Sequence, residues 1–205
     1  MMHPKIAQTK YGVLDLIRER WSPRAYAATP IAEQSLKRIL EAASWAASSM
    51  NEQPWRIILG IKEHNPDTYQ KIYDCLLPMN QMWAKLAPVL MVVCSKKSFT
   101  LNGAVNRSAQ YDCGAAVSMM SLQAIHEDLY MRQMAGISHQ AIVDTFEIPH
   151  DYEPLVVIAL GYLGEPERIE EESRRKSESK TRSRKSLSQF VFGDEWNTSH
   201  GIVQS

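Results

Sequence analysis

Cysteine is scarce in this chain, and its spacing excludes more than its number does. Cys75, Cys94 and Cys113 are the three cysteines among 205 residues. An odd count without Cys-x-x-Cys spacing argues against a disulfide framework and against a structural zinc site. Cys94 ends an apolar run and Cys113 sits in an apolar helical pattern, which predicts two buried, inert thiols. The six histidines form no His-x-x-x-His pair. His126, beside Glu127 and Asp128, is the best metal candidate of a poor set, so no metal is expected. An excess of one charge is also missing: 23 basic residues balance 23 acidic ones, which weakens any picture of a nucleic-acid coat or a membrane-surface binder. The longest apolar runs, 87–94 and 155–163, fall far short of the roughly 20 residues that a spanning helix needs. Asp15 and Arg18 interrupt the only apolar stretch near the N-terminus, so no signal peptide is read. A soluble, cytoplasmic protein with neither a nucleic-acid nor a membrane partner is expected. The sequence also lacks a nucleophile elbow, a P-loop, a Gly-x-Gly-x-x-Gly fingerprint and carboxylates paired at telling spacing.

What is present is periodicity. Leu36, Ile39, Leu40, Ala43 and Ala47 follow the i, i+3, i+4, i+7 rule and predict an amphipathic helix over 33–47. Asn65 followed by Pro66 reads as a helix start, with Tyr69, Ile72, Tyr73 and Leu76 as the buried stripe. The stretch 108–127 is apolar on most faces and predicts a long central helix. A shorter helix begins at Ser138 and stops before Pro149. Strand signals are fewer: Trp55–Ile61, 89–94 and 155–160, two of them continuously apolar, as central strands covered on both faces are. The expected fold is α+β, a three-layer α/β/α sandwich with a small mixed or antiparallel sheet flanked by helices. It spans 1–205 as one domain. After Glu165 the composition shifts. Residues 168–185 carry eight basic and four acidic residues and read mostly as a solvated, mobile linker. Leu187, Phe190, Val191, Phe192 and Trp196 follow, and such a cluster is expected to dock on its own domain or on a partner.

Two segments carry candidate chemistry. Arg20-Trp21-Ser22-Pro23-Arg24 offers two guanidinium groups and a hydroxyl that can converge on one phosphate, because the planar fork of Arg makes paired, charge-assisted hydrogen bonds. Ser48-Ser49-Met50-Asn51-Glu52-Gln53-Pro54-Trp55 is either a helix-terminating loop that bonds its own backbone or a loop whose hydroxyls and amides face a polar ring.

Taken together, at this separation, the two segments resemble the FMN-dependent nitroreductase family. The likeness continues through Asn80-Gln81-Met82-Trp83, Ala87-Pro88-Val89, Asp112-Cys113-Gly114-Ala115, Gln133-Met134-Ala135-Gly136, the run 157–161 with Gly164-Glu165-Pro166, and Arg184-Lys185-Ser186-Leu187. Trp21, Pro23, Ala47 and Ser186 depart from the family's pattern. The resemblance implies an FMN site. Arg20, Ser22, Arg24 and Arg184 would hold the phosphate and ribityl chain. Asn80 would bond the pyrimidine edge of the ring, and Gln133, Met134, Ala135 and Gly136 would lie along it, with a backbone N–H near N5. Ser48, Ser49 and Asn51 would reach the flavin from the other subunit of a homodimer, and 165–205 would be an extension wrapping that subunit. No side chain is given an acid–base role, because the flavin carries the redox chemistry. The implied activity is reduction of nitroaromatics, quinones or similar electron-poor compounds by NAD(P)H, in two-electron ping-pong turnover. A non-catalytic flavin-binding or redox-sensing dimer is the alternative.

Overall fold

A computed structural model describes residues 5–203; the outermost residues of the 1–205 domain and of the 165–205 extension lie outside the described range. Four strands form the sheet: β1 (Trp55–Ile61), β2 (Val89–Lys96), β3 (Leu129–Met134) and β4 (Tyr152–Tyr162). Their spatial order is β1-β2-β4-β3, and every pairing is antiparallel. The sheet is therefore not mixed, although its central strands read as continuously apolar runs. The reason is burial on both sides. Val89, Met91 and Val93 of β2 face one layer, with Ile158 and Leu160 of β4 beside them. Leu90, Val92 and Cys94 face the other, beside Val157 and Ala159.

On the first face lie α2 (Glu33–Ser44) and α5 (Ala109–His126), which contribute Leu36, Ile39, Ala43, Val117 and Met120. On the second lie α3 (Pro66–Asp74), α4 (Pro78–Ala84) and α6 (His139–Phe146), with Tyr69, Ile72, Trp83 and Ile142. This is the expected three-layer sandwich. The short α1 (Asp15–Glu19) and α7 (Glu172–Glu178) complete the α-helices among the described residues.

Local signals explain most boundaries. Ser138 caps α6 by accepting from the Ala141 N–H at 3.3 Å. Pro66 opens α3 where its missing N–H costs nothing. Asn65 plays a different part from the expected cap: its Oδ1 accepts from the Ile61 N–H at 2.6 Å and its Nδ2 donates to the Leu59 carbonyl at 2.8 Å, stapling the end of β1 to α3. The predicted 33–47 helix stops at Ser44, with Trp45 as its C-cap.

The polar run 168–185 is corrected by the structure. It holds α7, and within it Ile169 and Glu178 are buried. A helix with so little apolar surface forms here because Lys176 pairs with Glu172 at 2.7 Å and Glu178 finds a cation inside the protein. Beyond it, Arg182 ties the chain to its own N-terminal segment by donating to the carbonyls of Lys5 (2.8 Å) and Arg18 (2.6 Å). The tail then turns back on itself, bridging Phe192 to Ser199. Phe190, Trp196 and Ile202 stay exposed on the single chain.

Candidate functional site

The predicted residues fall into three groups, two of them contiguous. Arg20 is the residue that ends α1, and its guanidinium donates to the Ser22 hydroxyl at 3.4 Å. Arg182 and Arg184 stand near it. Burial, and then the neighbouring Arg184 charge, lowers the basicity of Arg20; burial, Arg20 and Arg184 do the same to Arg182. Among the described residues the hydrogen bonds of these three cations go to a hydroxyl or to backbone carbonyls, never to a carboxylate. Three guanidinium groups held together without an anion make a place that favours one. Arg182 was invisible as a site residue in sequence because it lies inside the charged run.

Arg24 is committed elsewhere. Its Nη1 donates to Glu178 Oε1 at 3.3 Å and to the Ser177 hydroxyl at 3.1 Å, and its backbone N–H donates to Glu178 Oε2 at 2.9 Å. Trp21 is buried edge-on against Tyr130, ring centroids 6.2 Å apart, with the Lys5 ammonium 4.8 Å over its ring.

The second group surrounds a groove of about 600 Å³ between α4 and the end of β3. Asn80, on α4, donates from Nδ2 to the Gly136 carbonyl at 3.0 Å, and the Leu77 N–H donates to the same oxygen at 3.0 Å. A Cβ at position 136 would stand 2.7 Å from Asn80 Nδ2, so only glycine leaves this amide where it is. Gln133 and Ala135 are exposed, whereas the Met134 side chain is buried in the core, which leaves only its backbone to line the groove. Arg132 also lines it. Its guanidinium lies over the Trp83 ring at 5.1 Å and donates to the Ser22 carbonyl, which joins the groove to the cationic group. Sequence reasoning missed Arg132, whose only signal was its place in the alternation of an unrecognised edge strand.

The third group is the loop before β1. Met50, Asn51 and Gln53 all adopt left-handed backbone, φ 54°, 55° and 51°, at a cost of roughly 1–2 kcal/mol per non-glycine residue. The loop is held from several sides. The Ser49 N–H donates to Asp112 Oδ2 at 3.0 Å and the Gln53 N–H to the Ser48 hydroxyl at 3.1 Å. Glu52 accepts from the Thr100 hydroxyl (2.6 Å), the Thr100 N–H (2.8 Å) and Lys96 Nζ (3.0 Å). The Thr100 hydroxyl first, then its N–H and Lys96, hold the Glu52 carboxyl down at about 2 against burial. This loop enters the sheet at β1, one edge; Gln133 to Gly136 leave it from β3, the other edge. Three inter-strand steps of ~4.8 Å separate those edges by about 14 Å. Ser48, Ser49 and Asn51 are thus not brought onto the groove of their own chain.

Among the described residues no three His, Cys, Asp or Glu side chains cluster as a metal site would need, and no helix is long and apolar enough to cross a membrane. All three cysteines are free and buried.

This α/β/α architecture is shared with solved oxidoreductases. A structure of an oxidoreductase containing FMN superposes with a TM-score of 0.87 at 28% identity, covering 97% of this chain and 100% of the other. A nitroreductase family protein of Clostridium difficile 630 superposes with a TM-score of 0.67 at 23% identity, over 88% and 97% of the two chains. A Methanothermobacter thermautotrophicus protein that carries the provisional name NADH dehydrogenase/NAD(P)H nitroreductase is 30% identical over 162 residues, 77% of this chain and 80% of that one. The family model for the Nitroreductase family matches residues 17–162, from within α1 to the end of β4. The chain belongs to the Nitroreductase family.

Proposed function

We propose that this protein is an FMN-dependent oxidoreductase that takes reducing equivalents from NADH or NADPH and passes them in pairs to an electron-poor aromatic such as a quinone or a nitroaromatic. The observation that carries this is the linkage of the three carboxylate-free guanidinium groups, through Ser22 and Arg132, to the Asn80–Gly136 groove. One end suits a single phosphate and the other a flat ring with a polar edge. The residues fit the group on their own chemistry. A Cβ at Gly136 would fill the cradle beside Asn80, and the clustered cations call for an anion. Arg20, Ser22, Arg182 and Arg184 would hold the phosphate end, each charge-assisted bond contributing roughly 1.5–3 kcal/mol. Asn80 would orient the ring's polar edge, and the backbone of 133–136 would lie along it. Arg24, engaged by Glu178, would contribute position more than charge.

When bound, FMN would supply two-electron redox chemistry between a reduced nicotinamide and the oxidant. Residues of the chain bind, orient and exclude, and no side chain is asked to move a proton. The separation of the two sheet edges favours a site shared between two chains, in which a second copy brings Ser48, Ser49 and Asn51 to the groove. The exposed Phe190 and Trp196 favour a tail that lies on that copy.

The test is direct. The purified protein should be yellow or become so with FMN, bleach anaerobically with NADH or NADPH, and recover colour on adding a quinone, with parallel lines in double-reciprocal plots. Failure to take up FMN sinks the proposal; uptake without bleaching leaves a flavin-binding protein that is not this enzyme. Truncation after Arg182 should weaken the dimer in light scattering and release flavin, and a truncated chain that keeps both refutes the shared tail.

A further inference from the structure

Arg132, which lines the groove, and its neighbour Arg24 are in opposite electrostatic states. Arg24 has its charge cancelled within hydrogen-bonding distance, because both oxygens of the buried Glu178 carboxylate are used on it. Arg132 lines the groove with no carboxylate at hydrogen-bonding distance among the described residues; its one hydrogen bond goes to the Ser22 carbonyl. The groups that act on it at longer range are Arg24, Tyr26, Glu178 and Arg174. The Arg132 guanidinium carbon lies 5.1 Å over the Trp83 ring, whose face covers one side of the charge.

We propose that Arg132 is the residue that places uncompensated positive charge beside the ring end of the bound cofactor, while Arg24, paired with Glu178, adds little net charge there and serves to hold its own loop against α7. This rests on the FMN reading given above. A hydride carries two electrons and one proton, so its arrival makes the cofactor more negative by one charge. A fixed, half-buried cation in the same groove stabilises that product more than the oxidised form, since screening there is weaker than in water. Arg132 therefore raises the two-electron potential, and it strengthens addition of sulfite, a small nucleophile that likewise leaves the oxidised ring with negative charge. A neutral residue at 132 loses both.

The experiment uses the flavin-loaded protein and its R132Q, R132K and E178Q variants. Sulfite affinity is read from bleaching of the visible band, and the potential from equilibration with a reference dye. R132Q should bind sulfite at least tenfold more weakly and shift the potential down by the equivalent ~30 mV of a two-electron couple. R132K should stay within threefold of wild type. E178Q should move sulfite affinity upward, because it releases the Arg24 charge. If R132Q holds flavin and both readouts stay within threefold of wild type, the inference is overturned. A loss in R132K as large as that in R132Q overturns it too, because Arg132 would then act through its contacts to Ser22 and Trp83 rather than its charge; R132K decides the matter if R132Q does not fold. A wild type that binds no FMN instead defeats the functional proposal itself.

Discussion

Removal of the Glu178 carboxylate tests whether the charged C-terminal run is part of the fold. Glu178 is 1% exposed and Arg24 23% exposed in their side chains, and Glu178 accepts from Arg24 twice, at 2.9 Å from the backbone and 3.3 Å from the guanidinium. In E178Q one amide oxygen remains to accept, so the loss is one charge-assisted bond. Because the guanidinium bond is long, the lower end of the usual range applies, about 1.5–2 kcal/mol. In E178A both bonds go, the Arg24 N–H is stranded under α7 and the guanidinium is left without its counter-charge. The cost rises to about 3–5 kcal/mol, the range for a buried pair broken from one side. For a chain of this size each kcal/mol lowers the melting temperature by roughly 2–4 °C, so E178A should melt about 6–20 °C below wild type. The assay is thermal unfolding at fixed flavin content, followed by far-ultraviolet circular dichroism. The double variant R24M/E178M should recover much of the loss, because it removes both charges together. If E178A melts within 2 °C of wild type, Glu178 is not buried on Arg24, and the docking of α7 described above is wrong.

Two further outcomes follow from the packing. Glu52 is held down at about 2, so its bonds stabilise the fold fully above its ordinary 4.5 and progressively less as pH falls through that window toward 2; E52Q should flatten the stability–pH curve between pH 4.5 and 2, and an unchanged slope in chemical unfolding refutes the Glu52–Thr100–Lys96 anchor. In G164A the new Cβ would stand 2.4 Å from the Tyr26 carbonyl carbon and 2.5 Å from its oxygen, backbone atoms that cannot swing aside; a loss of about 3 kcal/mol is expected in urea unfolding, and a neutral substitution refutes the close approach.

Central strands were legible in the sequence because the inner runs of β2 (89–94) and β4 (155–160) are apolar without interruption, as two covered faces require. The edge strand β3 was not. Its Arg132 and Gln133 break the apolar pattern, and as an edge it tolerates them. The starts of α6 and α3 could be read from Ser138 and from Asn65-Pro66, but the partners of the Asn65 side chain, Leu59 and Ile61, could not, since they precede it by a turn that only the fold closes. α7 hid because it is nearly all polar, and what holds it, Arg24, lies 154 positions away. The motif residues of the candidate site were visible as local patterns. The state of each was not: the engagement of Arg24, the burial of Met134 and the three-sided clamp on Glu52 all depend on partners distant in sequence.

Because the serine loop sits at one margin of the sheet and the amide groove at the other, a shared site would have divided ownership. A chain damaged only in the loop, at Ser48 and Ser49, and a chain damaged only in the groove, at Asn80 and Gly136, would each be inert with copies of themselves. Mixed, they would assemble pairs in which one site inherits both defects and the other inherits neither. Half of the sites in each such pair would come back to life without any reversion, and an organism carrying both versions would show complementation between two defective forms of one gene.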